Sequence, residues 1–305
     1  FRMVQDAVHK ERRFITNFCV GGTAAAVSKT IVSPIERVKL LLQVQNTYAG
    51  TRSRQRYKGI LDTLIRVPKE QGILSFWRGN GTNVLRYFPT QALNFAFNDL
   101  FRSRLVREFE EQGSLSYLVR SMASGGLAGC TTICFVYPLD LIRTRIAVDI
   151  GENVERREYK GIIDCARKTI ESDGIRGLYR GFFISVQLYF LYRSLYFGLY
   201  DTMRGVYEQG SNGSEKRTPN FFVSFLLAEV VTVCASYSTY PWDSVRRRMM
   251  VKGDLSKASS IDAVKKIVQS EGFLGLYKGV FANLLRCTGS ALVMALYHEI
   301  QTYYR

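Results

Sequence analysis

Six stretches of the chain are long and poor in charge, and strongly polar connectors separate them. Three of these stretches contain one formal charge each: residues 17–33 (Lys29), 115–137 (Arg120) and 221–240 (Glu229). An apolar helix of about 20 residues spans the hydrocarbon core of a bilayer. The pattern therefore predicts a transmembrane helix in each of these three places.

The other three stretches alternate with the first set and are richer in aromatic residues: 84–101, 182–206 and 280–304. They also contain charged residues inside the apolar run. Charged side chains within a transmembrane helix face the interior of the bundle or a water-filled cavity, because lipid does not solvate them. We therefore predict an all-α membrane protein with six transmembrane helices, three of which line a polar cavity.

One short motif recurs three times, and its spacing divides the chain into repeats. Each copy has a proline, then an acid, then a base: Pro34–Lys39, Pro138–Arg143 and Pro241–Arg246. The prolines are 104 and 103 residues apart, and a fixed period of this length indicates structural repeats. The chain is predicted to be one domain of three pseudo-threefold repeats, at about residues 14–108, 115–208 and 219–304.

The acid and the base of this motif predict a ring of ion pairs. Around a threefold pseudo-axis, the acid of one copy lies next to the base of the following copy. The expected pairs are Glu36 with Arg143, Asp140 with Arg246, and Asp243 with Lys39. The alternative is that these charges only extend towards the membrane surface. If that alternative held, the recurrence of an acid and a base at the same positions of all three motifs would be a coincidence.

A second set of polar residues recurs near the ends of the even-numbered spans. Its members are Asp99 and Arg102, Asp201 and Arg204, and His298 and Gln301. Two copies have an acid and a base, whereas the third has His and Gln. We expect a weaker ring here, with Asp99 to Arg204 as its one complete pair.

The polar connector of each repeat contains a short amphipathic segment followed by a glycine-bounded turn. Apolar residues at helical spacing are Ile163, Ala166 and Ile170 in the second repeat, and Ile261, Val264 and Val268 in the third. The residues of the turns are Gly72, Arg78 and Gly79; Gly174, Arg180 and Gly181; and Gly272, Lys278 and Gly279. An aromatic residue, a cation and a glycine at a helix N-terminus favour a seat for a lipid phosphate. The alternative is a routine interfacial anchor.

Charge and composition narrow the function classes. The chain has 42 Lys and Arg against 26 Asp and Glu, a net charge of +16, which suits nucleic acid, anionic lipid or a phosphate-bearing solute. Nucleic acid is disfavoured because the key cations recur inside spans rather than along one exposed stripe.

No phosphate-binding loop of the GxxxxGK[ST] type is present, and only two histidines occur, so we expect no catalytic or metal site. The six cysteines form no Cys-x-x-Cys pair and are expected to be reduced packing residues.

These repeated motifs resemble the signature of the mitochondrial carrier family, and the resemblance extends over residues 14–304. Within that family, the run Arg246, Arg247, Arg248, Met249 and Met250 is similar to the Arg-Arg-Arg-Met-Met-Met run of the members that exchange ADP for ATP. Val251 stands where the last methionine would be. Residues 28–30, 87–95 and 196–198 are similar to the same members.

The resemblance implies a six-helix antiporter of the inner mitochondrial membrane that exchanges ADP and ATP by alternating access, with cardiolipin as a bound lipid and no cofactor. The Pro-acid-base ring would be the matrix gate, with Gln43 as its brace, and the second ring the cytoplasmic gate. Family contacts to substrate fall on Lys29, Arg86, Asn94, Tyr192 and Arg286. Leu188 and Tyr189 replace a Gly-Ile pair that seats the base in such members.

The charges inside the spans support a polyphosphate site independently of the resemblance. Lys29, Arg86 and Arg286 come from three different spans. Each unpaired charge in a bilayer costs roughly 2.5 to 3.5 kcal/mol on insertion scales, so three of them together require an anionic partner. The alternative is that internal acids neutralise them.

Two further functions stay open at this point. The fold could serve as a structural subunit of a membrane complex, such as a respiratory complex, with transport weakened or lost; other subunits of that complex would then be partners. The chain could also transport another nucleotide or phosphate-bearing metabolite. Leu188, Tyr189 and the incomplete second ring are compatible with both.

The unequal rings predict which way the unliganded protein faces. Closing the cytoplasmic side forms fewer ion pairs than closing the matrix side, so the resting state should be open to the cytosol. Replacing His298→Asp together with Gln301→Lys should raise the matrix-open population. Accessibility of cavity probes from each side measures this, and unchanged accessibility would contradict the prediction.

Overall fold

The computed structural model describes residues 2–47, 56–105, 115–150, 157–209, 221–253, 255–256 and 258–289. In these residues the regular structure is helical, with no strand. The helices are α1 (Arg2–Val44), α2 (Ile60–Gln71), α3 (Asn80–Leu105), α4 (Leu115–Val148), α5 (Ile162–Asp173), α6 (Phe182–Gln209), α7 (Phe221–Met250), α8 (Ser260–Glu271) and α9, described over 280–289. A single turn of 3-10 helix follows each of α2, α5 and α8.

The helices follow the three sequence repeats as α1–α3, α4–α6 and α7–α9. The first two repeats each have two long helices with a short one between them, and the described residues of the third follow the same order, in agreement with the predicted all-α, six-span architecture. Among the described residues, two segments are long and apolar enough to cross a membrane on composition alone, Ala123–Val148 in α4 and Val223–Met250 in α7. The other long helices have charged residues among their apolar ones, which lowers their mean hydropathy.

The first long helix of each repeat extends well beyond the apolar stretch that predicted it; these are α1, α4 and α7, called the odd helices below, and α3, α6 and α9 are called the even helices. Each continues through the proline of its motif, so that Pro34, Pro138 and Pro241 all lie inside a helix. The residue before each proline has a hydroxyl group, which donates a hydrogen bond to a carbonyl shortly before the next long helix. These bonds are Ser33 Oγ to Phe76 O (3.2 Å), Tyr137 Oη to Arg180 O (2.6 Å) and Tyr240 Oη to Lys278 O (2.8 Å). The proline region of each odd helix is thereby tied to the even helix of the same repeat.

Three glycines let the repeats approach one another closely. Gly79, Gly181 and Gly279 have φ angles of 82°, 77° and 85°, a backbone conformation that strongly favours glycine. A Cβ atom on them would lie 3.1 Å from Arg143 O, 3.4 Å from Arg246 O and 3.2 Å from Lys39 O respectively. Each carbonyl belongs to the base of the next repeat's Pro-acid-base motif. The start of every even helix therefore fits against the odd helix of the neighbouring repeat.

A buried arginine crosses each repeat boundary and caps the end of an odd helix. The hydrogen bonds are Arg37 to Asp149 O (3.1 Å), Arg145 to Met250 O (2.9 Å) and Arg248 to Gln43 O (3.0 Å). All three arginines are 1% exposed. The last carbonyls of a helix have no partner within the helix, and a cation there also suits the negative end of the helix dipole. We call these residues the arginine caps; they link the three repeats into a closed ring.

Arg248 also forms a bidentate ion pair with the connector. Its guanidinium donates to both carboxylate oxygens of Glu271, at 2.6 and 3.0 Å. Burial favours the neutral form of Glu271, but the hydrogen bonds from Arg248 outweigh that effect and lower the pKa of Glu271 below its usual range. The end of α8 is thus fixed to the end of α7.

The short helices present their apolar stripes outwards. In α5, Ile163 is 83% exposed whereas Cys165 and Thr169 are buried, and in α8 Ile261 is 67% exposed whereas Ile267 is buried. An exposed apolar stripe is stable where the surrounding solvent is lipid.

Burial raises the pKa of the Cys165 thiol to about 12, so this cysteine is an inert packing residue. The other cysteine side chains that the structure describes are also free thiols.

The arginine caps predict a specific loss of stability. Replacing Arg145→Met leaves the carbonyl of Met250 buried without its donor and removes the bond to Thr169 Oγ1 (2.8 Å). We expect destabilisation of about 1 to 3 kcal/mol, the cost of an unsatisfied buried polar group. Thermal unfolding in detergent measures it. Arg167→Met is the control, because Arg167 lies on the surface of α5 with a 78% exposed side chain; an equal drop in Tm for both variants would contradict the role of the cap.

Candidate functional site

The long helices enclose one large cavity in the part of the chain that the structure describes. Its volume is 560 Å³, and all three repeats contribute to its wall. The lining includes every residue predicted to contact substrate: Lys29, Arg86, Asn94, Leu188, Tyr189, Tyr192 and Arg286. The same cavity also contains the acids and bases of the Pro-acid-base motifs. The candidate site and the candidate gate are therefore parts of one space.

The Pro-acid-base motifs close one end of this cavity, which we call the closed end. Lys39 Nζ lies 2.7 Å from Asp243 Oδ2. Arg143 is paired with Glu36, and Arg246 with Asp140. Each of the three pairs joins two different repeats, in the order expected from the sequence. At a low effective dielectric such contacts are much stronger than in water.

Neutral and cationic side chains reinforce the closed end. Gln43 donates from Nε2 to Asp243 Oδ2 at 3.3 Å, so it contacts the same carboxylate as Lys39. Arg247 lies between two of the acids, 3.8 Å from Asp140 Oδ1 and 3.6 Å from Asp243 Oδ1. It also donates to Thr144 Oγ1 at 2.7 Å. Arg247 is thus a fourth cation at the closed end, with contacts to two repeats.

Three cations line the wall above the closed end, and they come from α1, α3 and α9. Lys29 Nζ lies 5.6 Å from the centroid of the Tyr87 ring. Arg286 donates to Asn283 Oδ1 at 3.2 Å, and Arg86 Nε lies 4.0 Å from Asp140 Oδ1. None of these three contacts is a close carboxylate pair. The cations can therefore accept an anionic ligand, and Arg86 also connects their wall to an acid of the closed end.

The opposite wall, formed by α6, is aromatic rather than cationic. Leu188, Tyr189 and Tyr192 line the cavity there. Tyr192 stacks on Tyr196 with ring centroids 6.2 Å apart, and Tyr196 stacks on Tyr200 at the same spacing. A cavity with cations on one wall and flat rings on the other suits a ligand with phosphates at one end and a planar ring at the other.

The predicted second ring lies mostly outside the described residues. His298 and Gln301 belong to the part of the chain that is not described, and so do the side chains of Asp201 and Arg204. Asp99 and Arg102 lie on α3 and are exposed. The pairing of Asp99 with Arg204 and the weaker cytoplasmic gate stay predictions.

The cations predicted to bind lipid phosphate have partners within the protein. Arg180 lies 2.8 Å from Asp173 Oδ1, and Lys278 lies 3.0 Å from Glu271 Oε2. Arg78 donates to Asp149 O at 3.0 Å and to Gln71. Gly72, Gly174 and Gly272 have positive φ angles at the turn before each 3-10 segment. These contacts hold the connectors to the bundle, and lipid binding there stays a prediction.

The signature run at the end of α7 divides among three environments. Arg246 and Arg247 line the cavity, Arg248 is an arginine cap, and Met249 and Met250 are buried in the core. The repeated motif predicted Arg246 as a member of the ring of ion pairs, but it did not predict the contacts of Arg247. The available signal was its spacing of four residues from Asp243, which puts an acid and a base on one helical face. The arginine caps and the hydroxyls before the prolines were missed as well.

Comparison with known proteins identifies the family. The family model described as mitochondrial carrier protein matches the chain three times, over residues 10–109, 115–211 and 217–305. The chain is 48% identical over 296 residues to ADP/ATP translocase 2 of Tachyglossus aculeatus aculeatus, covering 95% of this chain and 97% of that protein. It is 49% identical over 295 residues to ADP/ATP translocase 4 of Homo sapiens, covering 95% and 92%.

A third relative, ADP/ATP translocase 3 of Homo sapiens, is 47% identical over 294 residues, with 94% of this chain and 97% of that protein covered. The family matches and the relatives both extend over nearly the whole chain. They agree with the helical repeats and the central cavity. The chain therefore belongs to the mitochondrial carrier family and is a multi-pass protein of the inner mitochondrial membrane.

Proposed function

We propose that the protein exchanges ADP for ATP across the inner mitochondrial membrane by alternating access. The observation that carries the proposal is the cavity itself, with three cations opposite an aromatic wall and with ion pairs between repeats at its closed end. Relatives about half identical to the chain are named ADP/ATP translocases. The resemblance assigns the closed end to the matrix side, so the cavity faces the cytosol.

Phosphate groups bind to Lys29, Arg86 and Arg286 in this proposal. An ADP or ATP molecule brings several negative charges, which satisfy the cations that lack a close carboxylate partner. Desolvated charge-assisted hydrogen bonds of this kind are strong and orient the phosphates. The cations lie on three helices from the first and third repeats, so that one ligand contacts both repeats at once.

Arg86 couples the ligand to the gate. In the empty cavity it lies 4.0 Å from Asp140 Oδ1, next to the pair formed by Asp140 and Arg246. A phosphate that binds Arg86 competes with Asp140 for the same guanidinium. Part of the stabilisation of the closed end is then lost when the ligand binds, and the contacts with the ligand offset that loss.

Exchange rather than one-way leakage follows from the cost of opening. The repeats cannot separate at the matrix side until Glu36–Arg143, Asp140–Arg246 and Lys39–Asp243 dissociate. A ligand shifts this equilibrium only through contacts that favour the open state. Without a ligand the gate stays closed, so the empty protein changes only slowly between the cytosol-open and matrix-open states. No covalent step is required, and the protein acts as a transporter rather than as an enzyme.

Counter-exchange in liposomes tests the proposed function. We expect purified protein in liposomes loaded with ADP to take up external ATP, and uptake should stop when the internal ADP is omitted. Transport of another phosphate-bearing metabolite in place of ATP would identify a related carrier. Correctly folded protein that moves no nucleotide would contradict the proposal and support the structural-subunit alternative.

The cation wall predicts a loss of affinity. Replacing Arg286→Gln removes one charge that faces the cavity, and we expect the KM for ADP to rise at least tenfold, since a hydrogen bond to a charged group contributes roughly 1.5 to 3 kcal/mol. Initial rates of exchange at varied external ADP measure the KM. Lys252→Gln is the matched control, because Lys252 pairs with Glu158 at 2.6 Å away from the cavity wall. Equal KM values for the two variants would exclude Arg286 from the site.

A further inference from the structure

Glu229 is the one formal charge of the apolar stretch at residues 221–240, and it belongs to neither ring of paired motifs. It lies in α7, inside the segment Val223–Met250 that is long and apolar enough to cross a membrane. Among the residues that the structure describes, its Oε1 atom is buried and has no hydrogen-bond partner. An ionisable residue inside a span is costly, so its presence there indicates a function.

The periodicity of α7 places Glu229 on the face that lines the cavity. Ser236, Tyr240 and Asp243 line the cavity, and they follow Glu229 by 7, 11 and 14 residues. Residues at these spacings share one face of an α-helix. Val230, the next residue of the chain, points away from this face and is 46% exposed. The carboxylate of Glu229 therefore faces the interior of the bundle rather than the lipid.

Glu229 lies farther from the closed end than the cation wall does. Ser236 Oγ is 3.9 Å from Cys287 Sγ, and Arg286 Nη2 is 3.4 Å from the same sulfur, so Ser236 marks the depth of Arg286. Seven helical residues at about 1.5 Å each place Glu229 about 10 Å from this depth along α7. Asp243, at the closed end, lies in the opposite direction from Ser236. Glu229 is thus on the open side of the cavity, along the route by which a ligand reaches the cations.

We propose that Glu229 makes the site selective for the charge of the nucleotide, because it weakens the binding of ATP more than that of ADP. The inference rests on the proposed function, in which the phosphates bind to the cation wall. A carboxylate repels every negative charge of the ligand, and ATP carries one more negative charge than ADP. The cations alone attract the more highly charged nucleotide more strongly. Glu229 offsets part of that preference in the cytosol-open cavity, which favours the entry of ADP and the release of ATP.

Coulomb's law gives the expected size of the effect. The interaction of two unit charges about 10 Å apart changes a binding constant about twofold at a dielectric constant of about 80, and roughly 15-fold at a dielectric constant of about 20. The open side of the cavity lies between these limits, since it contains both water and protein. Removing the charge of Glu229 should therefore lower the Kd of every nucleotide, by a factor that grows with each negative charge of the ligand.

Equilibrium binding of AMP, ADP and ATP to the purified full chain in detergent, without divalent cations, tests the inference. For Glu229→Gln we expect the ratio of the Kd of ATP to the Kd of ADP to fall at least about twofold, with a similar step between ADP and AMP. Glu229→Asp keeps the charge and should leave both ratios near those of the wild type. High salt should reduce the difference between wild type and Glu229→Gln, because the Debye length falls from about 30 Å at 0.01 M to about 3 Å at 1 M.

Glu171→Gln is the matched control, because it removes the same charge from the surface of α5. The Glu171 side chain is 59% exposed there and pairs with Arg167 at 2.8 Å. This variant should leave the Kd ratios unchanged. Equal shifts in the two variants would attribute the effect to net charge and overturn the inference, and so would Kd ratios that do not respond to Glu229→Gln.

Thermal unfolding of Glu229→Gln provides a second measurement. A neutral amide costs less inside a span than a carboxylate without a partner, so the Tm in detergent should stay the same or rise. Loss of folding in this variant would show that the carboxylate has a structural partner, and would also overturn the inference.

The exchange assay separates this inference from the proposed function. If the protein exchanges ADP for ATP but Glu229→Gln leaves the Kd ratios unchanged, the inference fails and the function stands. If Glu229→Gln shifts the ratios but the protein exchanges no nucleotide, the function fails and the inference stands. Folded protein that binds none of the three nucleotides would contradict both.

Discussion

Each charge inside this protein needs an ionic partner or the water of the cavity, because the membrane around it cannot solvate ions. An unpaired charge at the centre of a bilayer costs roughly 2.5 to 3.5 kcal/mol on insertion scales, and the bundle contains many. The acids of the Pro-acid-base motifs satisfy this constraint by pairing with the base of the neighbouring repeat. The interactions that neutralise the interior thereby also hold the three repeats together.

The closed end consists of two layers with different roles. The ion pairs line the cavity and are accessible to a ligand through Arg86, which lies beside Asp140. The arginine caps lie at the ends of the odd helices and are almost fully buried, bonded to backbone carbonyls that have no other partner in their helix. The first layer can dissociate when the ligand supplies compensating charge. The second layer receives no such compensation, so its bonds between repeats add to the free-energy cost of opening this end.

The sequence predicted the features that follow from the spacing of its repeats. The six spans, the three repeats and the order of the ion pairs all follow from apolar stretches and from prolines 104 and 103 residues apart. Features that depend on the approach of two helices were not predictable in this way. The arginine caps even depart from the repeat register: Arg145 and Arg248 follow their prolines by seven residues, but Leu41 occupies that position in the first repeat and Arg37 acts instead. The contact of Tyr189 with Gly129 likewise depends on how α6 packs against α4, which no single helix specifies.

Charge pairing between repeats closes the cavity and must be reversible for transport. The most direct measurement is nucleotide exchange by a charge-swapped pair, compared with its two single variants. Glu36→Arg and Arg143→Glu should each abolish exchange, because two like charges then face each other in a buried site. The double variant restores one acid opposite one base and should recover exchange. If the double variant exchanged no more nucleotide than either single variant, the pairing would not be the closing interaction.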